Sequence, residues 1–185
     1  MSDWTTLAGL SVDLHRDEVR GYVRAQIPGG LRRAGISAEF TLASAKACWR
    51  QLALEPAAPC LALLWTSLAF SGTENASCLR ELMEDKSLPM PFQFIASQPH
   101  TAAVHASNVL PGLAHATTLL YCGEGAEELL LPALAARRPW THVLLGEVWT
   151  PHQWQEAGDR FRAKWRVLAR RNALPVTSRQ CPWHS

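Results

Sequence analysis

An α/β fold is predicted for this chain by three observations. Cys60 to Trp65 is a continuous apolar run bounded by Pro59 and Thr66, the pattern of a strand covered on both faces, Thr117 to Tyr121 reads as the next buried strand, and His142 to Val148 as a third. Segments with apolar residues at helical spacing lie between them, so strands and helices alternate. The composition, 48% hydrophobic and 18% charged over 185 residues, suits a single buried core and excludes disordered and fibrous classes.

Taken in order, Val19, Val23 and Ile27 share one helical face, and Pro28-Gly29-Gly30 ends that short helix. Ile36 to Phe40 is expected as a short edge strand. Thr41 then N-caps a helix through about Leu54, with Ala45, Cys48 and Leu52 on one stripe and Pro56 stopping it. Cys48 is expected as core filler. After the strand from Cys60 to Trp65, a loop feeds a helix from about Asn75 to Glu84, whose apolar side is Leu79, Leu82 and Met83.

Pro89 and Pro91 break the chain before Phe92, Phe94 and Ile95. The small residues Ala102, Ala103, Ala106 and Ser107 follow, as on a helix running close against a neighbouring backbone in a core or at a subunit interface. The strand from Thr117 to Tyr121 delivers Cys122 into a Gly123-Glu124-Gly125 turn, and Ala126 to Ala136 is the next helix, with Leu129, Leu130 and Leu134 inward. A cysteine at a strand-to-helix corner is a candidate nucleophile, since the helix dipole stabilises a thiolate there. The third strand, from His142 to Val148, follows. Thr150, Pro151 and Gln153 then stand at N-cap, N1 and N3 of an amphipathic helix carrying Trp154, Ala157, Phe161, Trp165 and Leu168. The domain reading is accordingly residues 1–150 as one α/β domain, and 151–185 as a basic amphipathic helix and tail packed on it.

Net charge is +2, but unevenly spread. From Pro151 onward seven Lys/Arg face Glu156 and Asp159, giving +5, and the remainder carries −3. Arg160, Lys164, Arg166, Arg170 and Arg171 thus make a candidate docking surface for an acidic partner. Nucleic acid is the competing ligand for this face, without a nucleic-acid fold signature to support it.

The five cysteines, Cys48, Cys60, Cys78, Cys122 and Cys181, are odd in number and contain no Cys-x-x-Cys pair. Neither a disulfide framework nor a metal site is expected, and no cofactor motif is read. His100 and His105, five apart, do not share a helix face as metal ligands would. They read as core or interface histidines, with His100 and His105 kept as candidate catalytic residues beside Cys122 and His115 no better a candidate base than either. No apolar run reaches the roughly 18 residues of a membrane span, and the N-terminus lacks a secretory signature, so no membrane association and a cytoplasmic location are expected.

The order of features from Cys60 to Trp149 resembles the N-terminal half of β-ketoacyl synthases, within the thiolase-like fold. FQFIASQPHTAAVHASNVLPG, then TTLLYCGEG, then AEELLLPALA stand where that family has its small-residue helix, the strand ending in the nucleophile, and the buried helix that follows. The likeness is greatest to the small β-ketoacyl-synthase-like proteins of aryl polyene and xanthomonadin-type pigment clusters, through Ser97-Gln98-Pro99-His100-Thr101 and Gly123-Glu124.

This resemblance implies an αβα half-fold with a mixed sheet, the acyl-accepting position at Cys122 and the family glycine at Gly125. It also implies acyl carrier protein as a partner, and either a homodimer or a heterodimer with a full-length synthase. The family's decarboxylating histidines come from the second half of its fold. Only 63 residues follow Cys122 in this chain of 185, none matching those motifs, and Glu124 opposes thiolate formation at Cys122 unless it is paired. The expected function is an accessory, chain-length-factor-like synthase subunit in fatty-acid or polyene biosynthesis, not catalytic alone. The alternatives are an acyltransferase or thioesterase using Cys122, and a binding module using the basic helix.

Overall fold

A computed structural model describes residues 4–52, 60–67, 72–88, 90–98, 100–120, 140–151 and 159–171. The elements run β1 (Trp4–His15), α1 (Arg16–Gln26), α2 (Ile36–Trp49), β2 (Leu61–Ser67), α3 (Gly72–Met83), α4 (Pro91–Ala96), α5 (Thr101–Ala106), β3 (Leu113–Leu120), β4 (His142–Trp149) and β5 (Arg160–Arg170). One mixed sheet is formed, in the order β1-β5-β4-β2-β3. β2 is parallel to β3 and β4, whereas β5 runs antiparallel to both of its neighbours.

All seven residues of β2 are buried, as the continuous apolar run requires of a central parallel strand. On one face of the sheet Leu61, Leu63, Trp65, Leu144, Val148, Phe161 and Val167 pack beneath α1, α2 and α5. The other face buries Ala62, Leu64, Val143, Leu145 and Leu168 with Trp140. The helix expected from Ala126 to Ala136 lies outside the described residues.

α1 forms where the Val19, Val23, Ile27 stripe places it. Val19 and Val23 are buried, Asp17 and Glu18 sit at the positive end of the helix, and the Glu18 carboxylate accepts the His15 N–H at 2.7 Å.

Between Ile36 and Phe40 the structure corrects the sequence reading. No edge strand forms, because α2 already begins at Ile36 with Gly35 as its N-cap. The signal is tertiary: Glu74 of α3 accepts the Ser37 N–H at 2.9 Å and the Ser37 hydroxyl at 2.7 Å, satisfying a first-turn donor that no local side chain reaches. Thr41 is mid-helix, its hydroxyl donating back to the Ser37 carbonyl at 2.8 Å. Buried on almost every side, α2 shows no amphipathic stripe to betray where it starts.

The C-terminal correction is larger. Residues 160–170 are not a helix but the strand β5, inserted between β1 and β4. Phe161, Trp165 and Leu168 fit helical spacing, yet Phe161, Ala163, Trp165 and Val167 fit alternation equally well. The slot between two strands decides, since there β5 completes two hydrogen-bonded ladders. The partner β1 follows the same alternation through Ala8, Leu10, Val12 and Leu14, which pack on the core beside the buried members of β5.

At the start of β4 the half-buried His142 ring meets Trp49 edge-on, with centroids 5.6 Å apart, and its Nδ1 lies 2.9 Å from the Thr141 hydroxyl. Burial holds its pKa below the ordinary 6.5. The unfolded chain therefore binds the proton more readily than the native one, so this group adds stability as pH rises through the window below 6.5 and removes it as pH falls. Thermal unfolding of the native protein should lose more Tm between pH 7 and pH 5 than that of His142→Gln; parallel losses would rule the ring out.

Candidate functional site

β2, β3 and β4 end at one edge of the sheet, with Ser67 level with both Leu120 and Val148. From β2 the chain moves on toward β3, and from β4 toward β5 on the opposite side. Adjacent parallel strands whose connections diverge open a crevice at their carboxyl ends, the usual ligand position in an open α/β sheet. Thr66 and Ser67 are buried hydroxyls at this end, and the buried Thr118 hydroxyl, level with Trp65, has no hydrogen-bond partner. Cys122 follows the last residue of β3 by two positions in the chain. Cys122, Gly123, Glu124 and Gly125 lie outside the described residues.

The candidate histidines are less engaged. His100 is exposed at the N-cap of α5, and His105 is half-buried in its last turn. Neither ring has a hydrogen-bond partner among the described residues. His115 is more firmly placed. It stands within β3, contacts the Thr117 hydroxyl through Nε2, and stacks on Trp140 at 5.3 Å. Those contacts explain it as part of the second face of the sheet.

Of the other cysteines described, two are interior thiols and Cys78 is partly exposed. Cys48 and Cys60 are buried, and burial pushes the Cys48 thiol up to about 11, far from the thiolate range. Cys78 is raised as well, first by burial and then by Glu81. Among the described residues no three His, Cys, Asp or Glu side chains gather as a metal site would need. No helix there is long and apolar enough to cross a membrane.

The basic residues of 160–171 change character once β5 is a strand. Arg160, Arg162, Lys164 and Arg166 alternate with buried residues and form an exposed row, consecutive members about 6.8 Å apart at strand rise. Asp13 of β1 neutralises one end, accepting from Arg160 Nε at 2.7 Å and lying 3.3 Å from Arg162 Nε. The hydrogen bond from Arg160 is the largest cause holding the Asp13 carboxyl below its ordinary range. Further along, the Lys164 ammonium sits 5.8 Å from the Trp149 ring centroid and the Arg170 guanidinium 5.9 Å from that of Trp4. Arg171 donates through Nε to the Thr5 hydroxyl at 2.9 Å. A pattern of period two in 160–167 was the available signal for this row.

No protein-family model and no curated protein matches the chain. Solved structures do. A ketosynthase (ApeO) in complex with its chain length factor (ApeC) from Xenorhabdus doucetiae superposes with a TM-score of 0.61 at 13% identity, over 91% of this chain and 79% of that one. The ishigamide ketosynthase/chain length factor superposes at 0.58 with 12% identity, over 93% of this chain and 63% of that one. The chain has a ketosynthase-like fold. Its α/β class and mixed sheet, here of five strands among the described residues, agree with the expected thiolase-like fold. Within this ketosynthase-like fold, the carboxyl edge of β2, β3 and β4 is the end from which the chain runs on to the candidate cysteine.

Proposed function

We propose that this chain is an accessory, chain-length-factor-like subunit of a β-ketoacyl synthase, working in the cytoplasm in fatty-acid or polyene-type biosynthesis of the aryl polyene kind. It pairs with a catalytic synthase subunit and receives acyl carrier protein. The observation that carries this reading is the superposition over more than nine-tenths of the chain on two structures that each contain a ketosynthase and a chain length factor. Cys122 then marks the acyl-accepting position of the fold without having to turn over, and the partner supplies the carbon–carbon bond chemistry.

The test is reconstitution of the synthase, carrier protein and this chain, with product length read by mass spectrometry. Omitting the chain should abolish product or change its length, while Cys122→Ala should leave rate and length within about twofold. Loss of product in Cys122→Ala would overturn the accessory role in favour of the chain's own thiol.

The exposed row on β5 is the proposed landing surface for the carrier protein, because cations fixed on a central strand meet an acidic helix at little ordering cost. Arg162→Glu with Lys164→Glu should weaken carrier-protein binding about tenfold, equivalent to about 1.4 kcal/mol. The loss should shrink as salt rises. Unchanged binding at low salt would remove this surface from the reading.

A further inference from the structure

The basic row on β5 is not uniform along its length, and the difference comes from β1. On the face that carries the row, β1 places Asp13 level with Arg162, Ser11 level with Lys164 and Gly9 level with Arg166. Of these three only Asp13 bears a charge. His15, level with Arg160, turns to Asp17 instead, its Nδ1 2.9 Å from Oδ1. Asp13 engages two cations at once, Oδ1 accepting from Arg160 Nε at 2.7 Å and Oδ2 lying 3.3 Å from Arg162 Nε. All three groups are about half exposed, so the carboxylate faces both its partners and any anion that approaches them.

A second acid closes the same end. Asp159, one residue before Arg160, lies 3.8 Å from the Arg16 guanidinium, and its carbonyl accepts the Arg16 N–H at 2.8 Å. Arg20 and Arg24 follow Arg16 on α1, each one turn further on. Two acids therefore stand where the cations of β5 approach those of α1.

Beyond the reach of Asp13 are Lys164 and Arg166. The Lys164 ammonium lies against the Trp149 ring, with Glu147 level with it on β4. Two cations one strand repeat apart, about 6.8 Å, match carboxylates four apart on a helix, whose Cβ atoms are about 5 to 6 Å apart. An acidic helix fits this short pair. An extended polyanion gains by contacting every cation in line, and it loses those that Asp13 and Asp159 already neutralise.

We infer that Asp13 is a specificity-determining residue of the β5 surface: held by Arg160 and Arg162, it ends the row, so that a short acidic helix is accepted and a long polyanion is disfavoured. The inference rests on the landing surface proposed above and specifies what sets its selectivity. A phosphate arriving at Arg162 meets a fixed like charge, the repulsive element that discrimination between two anionic partners needs.

The experiment compares the intact wild-type chain with Asp13→Asn, reading Kd by fluorescence anisotropy over a salt series. Two labelled probes are used, the acyl carrier protein of the same genome and a short polyuridine oligonucleotide. Asp13→Asn should bind the oligonucleotide at least fivefold more tightly, with a salt slope steeper by about one, as two released cations require of a single strand. Carrier-protein binding should stay within twofold. Adding Arg162→Gln should cancel most of the oligonucleotide gain, and Asp85→Asn, which removes an exposed acid after α3, should leave both probes unchanged. Asp13→Ser repeats the comparison with a second neutral residue, each variant being checked for wild-type circular dichroism. Oligonucleotide binding within twofold of the wild type, or an equal gain for both probes, would overturn the inference. So would a gain that survives Arg162→Gln or appears equally in Asp85→Asn, since net charge would then be its cause. A carrier protein that binds neither the wild type nor Asp13→Asn would overturn the landing surface itself.

Discussion

Trp165→Ala is expected to remove about 4 kcal/mol of folding stability, read as a lowered midpoint in urea unfolding. The indole is essentially fully buried on the helix-covered face of β5, and its Nε1 donates to the Ser44 hydroxyl at 2.8 Å. Ser44 in turn donates to the Phe40 carbonyl at 2.8 Å, so one ring ties the sheet to α2. Removing it leaves a large cavity, and Ser44 loses its donor. The opposite strand shows how tightly the ring is held: a Cβ added at Gly146 would lie 2.2 Å from Trp165 Cε3 and 2.3 Å from Cζ3. Gly146→Ala should therefore cost about 3 kcal/mol by overpacking, because a ring wedged between sheet and helix has nowhere to move. Placed in the Trp165→Ala background, the same alanine should cost almost nothing. Additive losses in this cycle would show that Gly146 matters for a reason other than the ring.

Glu74→Ala is expected to cost about 2 to 3 kcal/mol, the worth of charge-assisted hydrogen bonds at a partly buried helix start. One carboxylate accepts both the Ser37 N–H and the Ser37 hydroxyl, joining α3 to the first turn of α2. Glu74→Gln should recover part of the loss, since an amide oxygen still accepts one of the two. Ser37→Ala should cost less than Glu74→Ala, because it leaves the backbone N–H bonded. If Glu74→Ala were as stable as the wild type, α2 would owe its early start to its apolar burial alone.

The central part of the fold was legible in the residues. The run from Cys60 to Trp65 is apolar without interruption because β2 is a central parallel strand covered on both faces, and the segments at Thr117 and His142 also became strands at nearly the positions read. Two elements were misread for a shared reason: their conformation is set by partners distant in sequence. The start of α2 depends on Glu74, and β5 depends on a slot bounded by β1 and β4. Where Phe161 and Trp165 satisfy periods of both two and four, local spacing cannot choose between them. Of the candidate site, the basic residues were assigned to the wrong element, since what was read as a helix face is a linear row on β5.

The insertion of β5 also sets an order of events in time. β1 precedes every other described strand, yet among the described residues the ladder it forms joins Trp4 with Arg170 and His15 with Arg160, in the last of those strands to be made. Until β5 is made, β1 has no strand to pair with among the described residues, and β4 joins it with an open edge shortly before β5 follows. The loop to be closed is close to the full described length, which makes completion of the sheet a late and slow step. During that interval the protein is most exposed to mispairing with its neighbours and most dependent on whatever shields those strands.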